Sequence, residues 1–295
     1  MHKEFEIKEV TFDVDGASVV GVLRIPDSAR PLPALALAGP LSSVKDQVTG
    51  NWGKAMAHRG YMTLSFDHRY YGDSGGKPRQ YEYPRHKVAD IRAAFGYLAH
   101  RTEVNPRRIG ALGVCAGAGY MAGAVVKDDR VRSWAAVAGF FHDATKQREW
   151  MGQRFDAEIE RARQARAHYE QTGEVLTIPA VGEGDVAMPL PEAYQYYGTP
   201  RGHTPGYRNE FALMSREHTL TYDAQSLAPR VRIPTLMIHS ERALAPDLAR
   251  SFYAALGGAK EEQWVESNGQ IDFYDDPARI EPAADALAWH FRNTM

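Results

Sequence analysis

Apolar residues in the first fourteen positions stand singly among polar ones: Phe5, Ile7, Val10, Phe12 and Val14. That spacing predicts a half-buried strand. Asp15-Gly16 is a hairpin turn signal, so residues 18–25 read as the returning strand. Residues 33–38 form a continuous apolar run, the pattern of a strand buried on both faces. A helix over 51–59 ended by Gly60, a strand over 61–66 and a helix over 87–100 follow. The last helix carries Val88, Ile91, Phe95 and Leu98 on one side. Strands at 108–114 and 131–138 come next. Strands alternating with helices predict an α/β fold whose mostly parallel sheet is covered by helices on both faces.

The alternation breaks between about residues 145 and 230, then resumes. A strand at 235–239, a helix at 247–256, a strand at 262–266 and a helix at 280–292 finish the chain. The expected organisation is therefore a core of 1–144 and 231–295 with a lid or cap of 145–230. Within that insertion, 146–171 is strongly charged, with Trp150, Phe155 and Ile159 as a sparse apolar side; a solvated helix face explains the charge. Prolines and glycines follow, together with Tyr194, Tyr196, Tyr197 and Tyr207. A lid lying over the carboxyl ends of the strands, where ligands bind in such sheets, would let Trp150, Phe155, Tyr194, Tyr196 and Tyr197 touch a substrate. Ordinary packing accounts for the tyrosines equally well.

Composition narrows the function. The 295 residues are 44% hydrophobic and 24% charged, enough for one large domain with an insertion. A net charge of −2, with both signs interspersed, gives no footprint for nucleic acid or an anionic membrane. No apolar run approaches a membrane span, and Met1-His2-Lys3-Glu4-Phe5 has no signal-peptide core. With one cysteine no internal disulfide forms, so the expected compartment is the cytoplasm. No metal-ligand spacing occurs, and the glycine-rich stretch 72–76 leads into no Gly-Lys-Ser/Thr sequence, so it reads as a turn and not a phosphate loop. No cofactor is expected. The expected partner is a small-molecule substrate, free or carrier-protein-bound; a homodimer stays open.

The chemistry concentrates in Gly113-Val114-Cys115-Ala116-Gly117-Ala118-Gly119, between a strand and an Ala/Gly-rich helix start. This is the pattern of the α/β-hydrolase nucleophile elbow, with cysteine in place of serine. Glycines at 113 and 117 suit the crowding of strand against helix. The turn would lift Cys115 above the sheet, and the helix N-terminus would favour its thiolate. A lone cysteine is otherwise a small buried hydrophobe. The N–H of Ala116 is one expected oxyanion donor; Pro40 has no N–H, so Leu41 is expected to supply the other.

Several further segments accompany the elbow: Ser43-Val44-Lys45-Asp46-Gln47, Gly72-Asp73-Ser74-Gly75-Gly76, Glu192-Ala193-Tyr194-Gln195-Tyr196-Tyr197, Thr199-Pro200-Arg201-Gly202 and Asp272-Phe273-Tyr274-Asp275. Together they resemble the cysteine-bearing, dienelactone-hydrolase-like branch of the α/β hydrolases, which includes polyketide transferases. The resemblance implies attack on the acyl carbon of an ester, lactone or thioester. It also implies a catalytic histidine where Gln270 stands and an aspartate where Ala243 stands. Glutamine exchanges hydrogen bonds but shuttles no proton at neutral pH. Glu241 is acidic but so near the strand end that it can point away.

His142, after the strand at 131–138, is the candidate replacement base, with Asp143 to orient or charge it. Alternatively it caps the lid hinge. His68, His239 and His290 read as structural. Three functions remain open: acyl hydrolysis or transfer at Cys115, a non-hydrolytic cyclase, lyase or isomerase, and a ligand-binding protein with a degenerate site.

Overall fold

The computed structural model describes residues 4–295; the opening Met1-His2-Lys3, read above for a leader core, lies outside the described residues. Strands β1 (Phe5–Val14) and β2 (Ala17–Pro26) form the expected hairpin, with Asp15 and Gly16 both at positive φ. Then come β3 (Leu32–Ala38), α1 (Val48–His58), β4 (Met62–Phe66), α2 (Pro84–Ala99), β5 (Val104–Val114), α3 (Ala116–Val125) and β6 (Val131–Val137). The chain next leaves the sheet. The insert holds α4 (Ala144–Met151), α5 (Arg154–Thr172), β7 (Thr177–Ile178), α6 (Pro191–Tyr197), β8 (Phe211–Ala212) and α7 (Arg216–Thr219). The chain re-enters at β9 (Thr235–His239) and closes with α8 (Pro246–Ala255), β10 (Lys260–Trp264), α9 (Asp272–Asp275) and α10 (Pro277–Thr294).

The main sheet runs β1-β2-β4-β3-β5-β6-β9-β10, antiparallel over its first three strands and parallel thereafter. Helices α1 and α10 pack together over one face, and α2 with α3 over the other. The central strands are buried on both sides, which is why they read as unbroken apolar runs. The edge strand β10 begins two residues earlier than expected. Its side chains Lys260, Glu261, Glu262 and Gln263 are polar, and backbone pairing with β9 places it.

The charged run of the insert is two helices, divided at Gly152 with φ +57°. Phe155, Ile159, Ala162 and Ala165 form the buried stripe of α5. Trp150 does not join it; α4 buries none of its residues, and Trp150 is 55% exposed. No helix among the described residues is long and apolar enough to cross a membrane.

Candidate active site

Strand β5 delivers the chain to Cys115, whose backbone sits at φ +55°, ψ −129°. A non-glycine residue holds such a conformation only when its surroundings impose it. They do so here. The Cys115 N–H donates to Val137 O at 3.2 Å, and its carbonyl accepts from Ala118 N–H at 3.0 Å and Phe140 N–H at 2.9 Å. A Cβ on Gly117 would stand 2.3 Å from Ala38 O, and one on Gly113 would stand 2.6 Å from Ala118 Cα. The elbow thus admits no side chain at either flanking position.

The sulfur lies at the floor of a cavity of about 270 Å³. Core residues Leu41, Ala116, His142, Leu244, Gln270 and Tyr274 form one wall. Trp150, Met188, Leu190, Phe211 and Arg216 of the insert face them. Leu41 and Ala116 therefore line the same cavity as Cys115. Three groups donate to the sulfur: the Tyr274 hydroxyl, the Ala116 N–H and the Gln270 amide. Burial nevertheless pushes the thiol above its ordinary range, and the Glu192 carboxylate adds to the rise. The expected depressed thiol is thus corrected: desolvation outweighs the helix terminus and the hydrogen bonds.

Gln270 is locked. Its Oε1 accepts from Leu244 N–H at 2.9 Å and its Nε2 donates to Ala138 O at 2.8 Å. One partner only donates and the other only accepts, so the amide has a single orientation, with an N–H left for the sulfur. Its backbone N–H donates to Glu192 Oε1 at 3.2 Å, tying this loop to α6 of the insert. Gly269 accommodates that tie, since a Cβ there would stand 2.1 Å from Glu192 Oε2. Ala243 is buried beside this loop and brings no acid. Glu241 turns outward to pair with Arg250 at 3.1 Å, and Arg250 lies over the Trp264 ring.

Tyr274 is the site residue that the sequence reading passed over. It stands four residues after Gln270, and Tyr274 N–H donates to Ile271 O at 2.8 Å within one helical turn. A spacing of four residues, which within a helical turn puts two side chains on one face, was the available signal. Burial keeps this phenol protonated far beyond neutral pH, so it acts only as a donor to sulfur.

His142 reaches the cavity, stacked on Tyr120 at 5.2 Å with Phe140 and Tyr222 edge-on. Its Nδ1 is buried without a hydrogen-bond partner. Burial pushes it down to about 4, with Glu82 opposing, so the ring is neutral at pH 7. Asp143 does not orient it. That carboxylate caps α4, accepting from Lys146 N–H at 2.9 Å.

The expected aromatic contacts divide. Trp150 lines the cavity, whereas Phe155, Tyr194, Tyr196 and Tyr197 do not. Tyr196 and Tyr197 are buried behind Tyr274, edge-on to it at 5.4 and 6.1 Å. They brace the site because α6 packs inward against α9. Tyr194, on the same helix, is half exposed, and Phe155 lies beneath the Arg148 guanidinium. Among the described residues no group of three or more His, Cys, Asp or Glu is arranged to hold a metal ion.

Comparison with known proteins agrees with this architecture. The chain is 32% identical to protein YcjY of Escherichia coli over 278 residues, 91% of each chain. It is 32% identical to PA2218 of Pseudomonas aeruginosa over 298 residues, covering 93% of this chain and 78% of that one. The crystal structure of PA2218 superposes with a TM-score of 0.86 at 29% identity, over 99% of this chain and 94% of that one. A shorter similarity, 30% over 191 residues, covers 63% of this chain and 59% of the thiohydrolase aneE of Aspergillus aculeatus. The family model of the alpha/beta hydrolase fold matches residues 37–270. The chain belongs to the α/β-hydrolase fold family.

Proposed function

We propose that the protein is an acyl-transfer enzyme acting through Cys115 on an activated acyl group, a thioester before an ester or lactone. The observation that carries this reading is the strained elbow, which holds the sulfur at the floor of an apolar cavity under three hydrogen-bond donors. The Cys115 sulfur attacks the acyl carbon, and the carbonyl oxygen takes up the developing charge at the N–H groups of Ala116 and Leu41. The bond to the leaving thiolate breaks, and the thiol proton of Cys115 ends on that leaving group. The acyl group then sits on Cys115 until an amine or thiol acceptor attacks the acyl carbon, the bond to sulfur breaks, and the acceptor's proton returns to the Cys115 sulfur.

No side chain around Cys115 is a strong base at pH 7. Gln270 cannot accept a proton, Tyr274 keeps its own, and His142 is a weak base at about 4. General-base assistance is normally worth about 10²–10⁴-fold, so water is a poor acceptor here and an amine or thiol a better one. The insert acts as the lid that selects the acyl chain. The name of the partial relative aneE, a thiohydrolase, agrees with thioester chemistry, and the resemblance of the sequence motifs to those of polyketide transferases supports a secondary-metabolite substrate.

Intact-mass measurement after incubation with thioesters and p-nitrophenyl esters tests this. An acyl adduct is expected on wild type and none on Cys115→Ala. Absence of an adduct across a range of acyl lengths would sink the reading. The shell of donors without a base favours a second reading, a non-hydrolytic reaction at a carbonyl or enolate. That reading requires product to form without an adduct at any time.

A further inference from the structure

The cavity above Cys115 is apolar, and among its lining residues only Arg216 carries a formal charge at neutral pH. It does not end there. Gln147, Trp150, Ala187, Pro189, Arg216 and Leu220 also line an outer cleft of about 630 Å³, so the two spaces share one throat. The outer cleft is of a different character. Arg154, Arg161, Glu158 and Asp185 join Arg216 in its walls.

These charges do not cancel. Asp185 divides its oxygens between Arg161 at 2.6 Å and Arg216 at 2.8 Å. Glu158 pairs with Arg216 and, at 3.6 Å, with Arg161. Two cations and two anions thus satisfy one another. Arg154, exposed on the first turn of α5, is left over; among the described residues it has no ion-pair partner. A guanidinium presents a fork of N–H donors that suits a phosphate, and the neighbouring Arg161 and Arg216 can turn part of their donors to the same anion.

An apolar bore ending at a nucleophile, a shared throat and a cationic porch fit one kind of molecule. It has an apolar acyl group, a thioester at the bottom, a slender polar arm and a terminal phosphate. We propose that the outer cleft is a subsite for the phosphate of a phosphopantetheine thioester, held by Arg154 with Arg216 at the throat. The proposal rests on the acyl-transfer reading above. It adds the chemical class of the leaving group, and coenzyme A and a carrier protein are the two sources of that arm.

Calorimetry on the intact protein reads binding without requiring any reaction. At low salt, 4′-phosphopantetheine is expected to bind at least about tenfold more tightly than pantetheine, and on the order of 0.5 M salt should erase most of that advantage. Arg154→Glu should remove the preference and leave pantetheine binding where it was. Coenzyme A binding more tightly than phosphopantetheine identifies the free cofactor as the source; equal binding identifies the carrier-borne arm. The subsite is overturned if the two probes bind alike, if neither binds at millimolar concentration, or if Arg154→Glu weakens both equally. Acylation of Cys115 by an N-acetylcysteamine thioester, which has no phosphate, separates the two claims. Its failure sinks the acyl-transfer reading; its success without a phosphate preference sinks only the subsite.

Discussion

On the core side of the cavity, Cys115, Gln270 and Tyr274 are held by buried backbone partners and by glycines with no room for a side chain. On the insert side, Trp150 rides on a helix that buries nothing, and Arg216 is held by ion pairs to Glu158 and Asp185 at the surface. Ion pairs that keep contact with water, as these partly buried ones do, contribute on the order of 1 kcal/mol each, so this wall rearranges at a smaller cost than the other. Buried hydrogen bonds resist far more, since breaking one strands a desolvated polar group at about 1–3 kcal/mol. On the acyl-transfer reading, reactive geometry thus lies in the stiff wall and the choice of substrate in the soft one.

The largest expected effect tests whether the stiff wall lacks only a proton carrier. In Gln270→His, the Leu244 N–H would meet the imidazole nitrogen facing it and force that nitrogen to accept. The ring proton would then sit toward Cys115, where a base needs a lone pair. We expect less than about a threefold gain in p-nitrophenyl ester turnover, because that tautomer cannot supply general-base assistance. Adding Ala243→Asp gives the near nitrogen an acceptor and reverses the tautomer, for a gain of about 10²-fold or more. A folded double variant no faster than wild type would show that more than these two positions separates this site from a hydrolase.

A second expectation concerns the buried histidine of the stiff wall. His142 stands at about 4 when folded, against an ordinary value near 6.5. The folded state binds fewer protons, so the stabilising contribution is complete above about pH 6.5 and is lost as pH falls to about 4. It amounts to about 3 kcal/mol. Urea titrations at neutral pH and near pH 4 should show that His142→Gln loses about that much less stability than wild type on acidification. Equal losses would mean that the ring gains water or a partner in solution.

On the soft wall, Trp150→Ala should weaken long apolar acyl ligands by roughly tenfold, the loss of part of one aromatic contact. Short acetyl ligands and the alkylation rate of Cys115 should not change. If alkylation slows as well, the two walls are coupled. The smallest effect expected lies in the pH profile of that alkylation. Burial raises the thiol, so the iodoacetamide rate should climb with no midpoint at or below about 8.5, the free-thiol value. A plateau reached by pH 7 would mean that the three donors to sulfur outweigh its burial.

Much of this was legible in the chain. Periodicity located the strands because a strand buried on both faces can hold only apolar residues, and 235–239 was read to the residue. The elbow was legible because its constraint is local: strand and helix meet within a few residues, and only glycine fits at 113 and 117. The absent proton carrier at Gln270 was also visible, since no neighbour can give an amide the pKa of an imidazole. Other properties are sums over residues distant in sequence, and the fold alone decided them. Burial from every side, not the adjacent helix end, sets the Cys115 thiol. Asp143 follows His142 yet serves the helix after it, and Tyr196 and Tyr197 brace Tyr274 because α6 packs inward. Arg154 lost its chance of a partner when Arg161 and Arg216 took both nearby carboxylates, a competition settled only once α5, the loop at Asp185 and α7 came together.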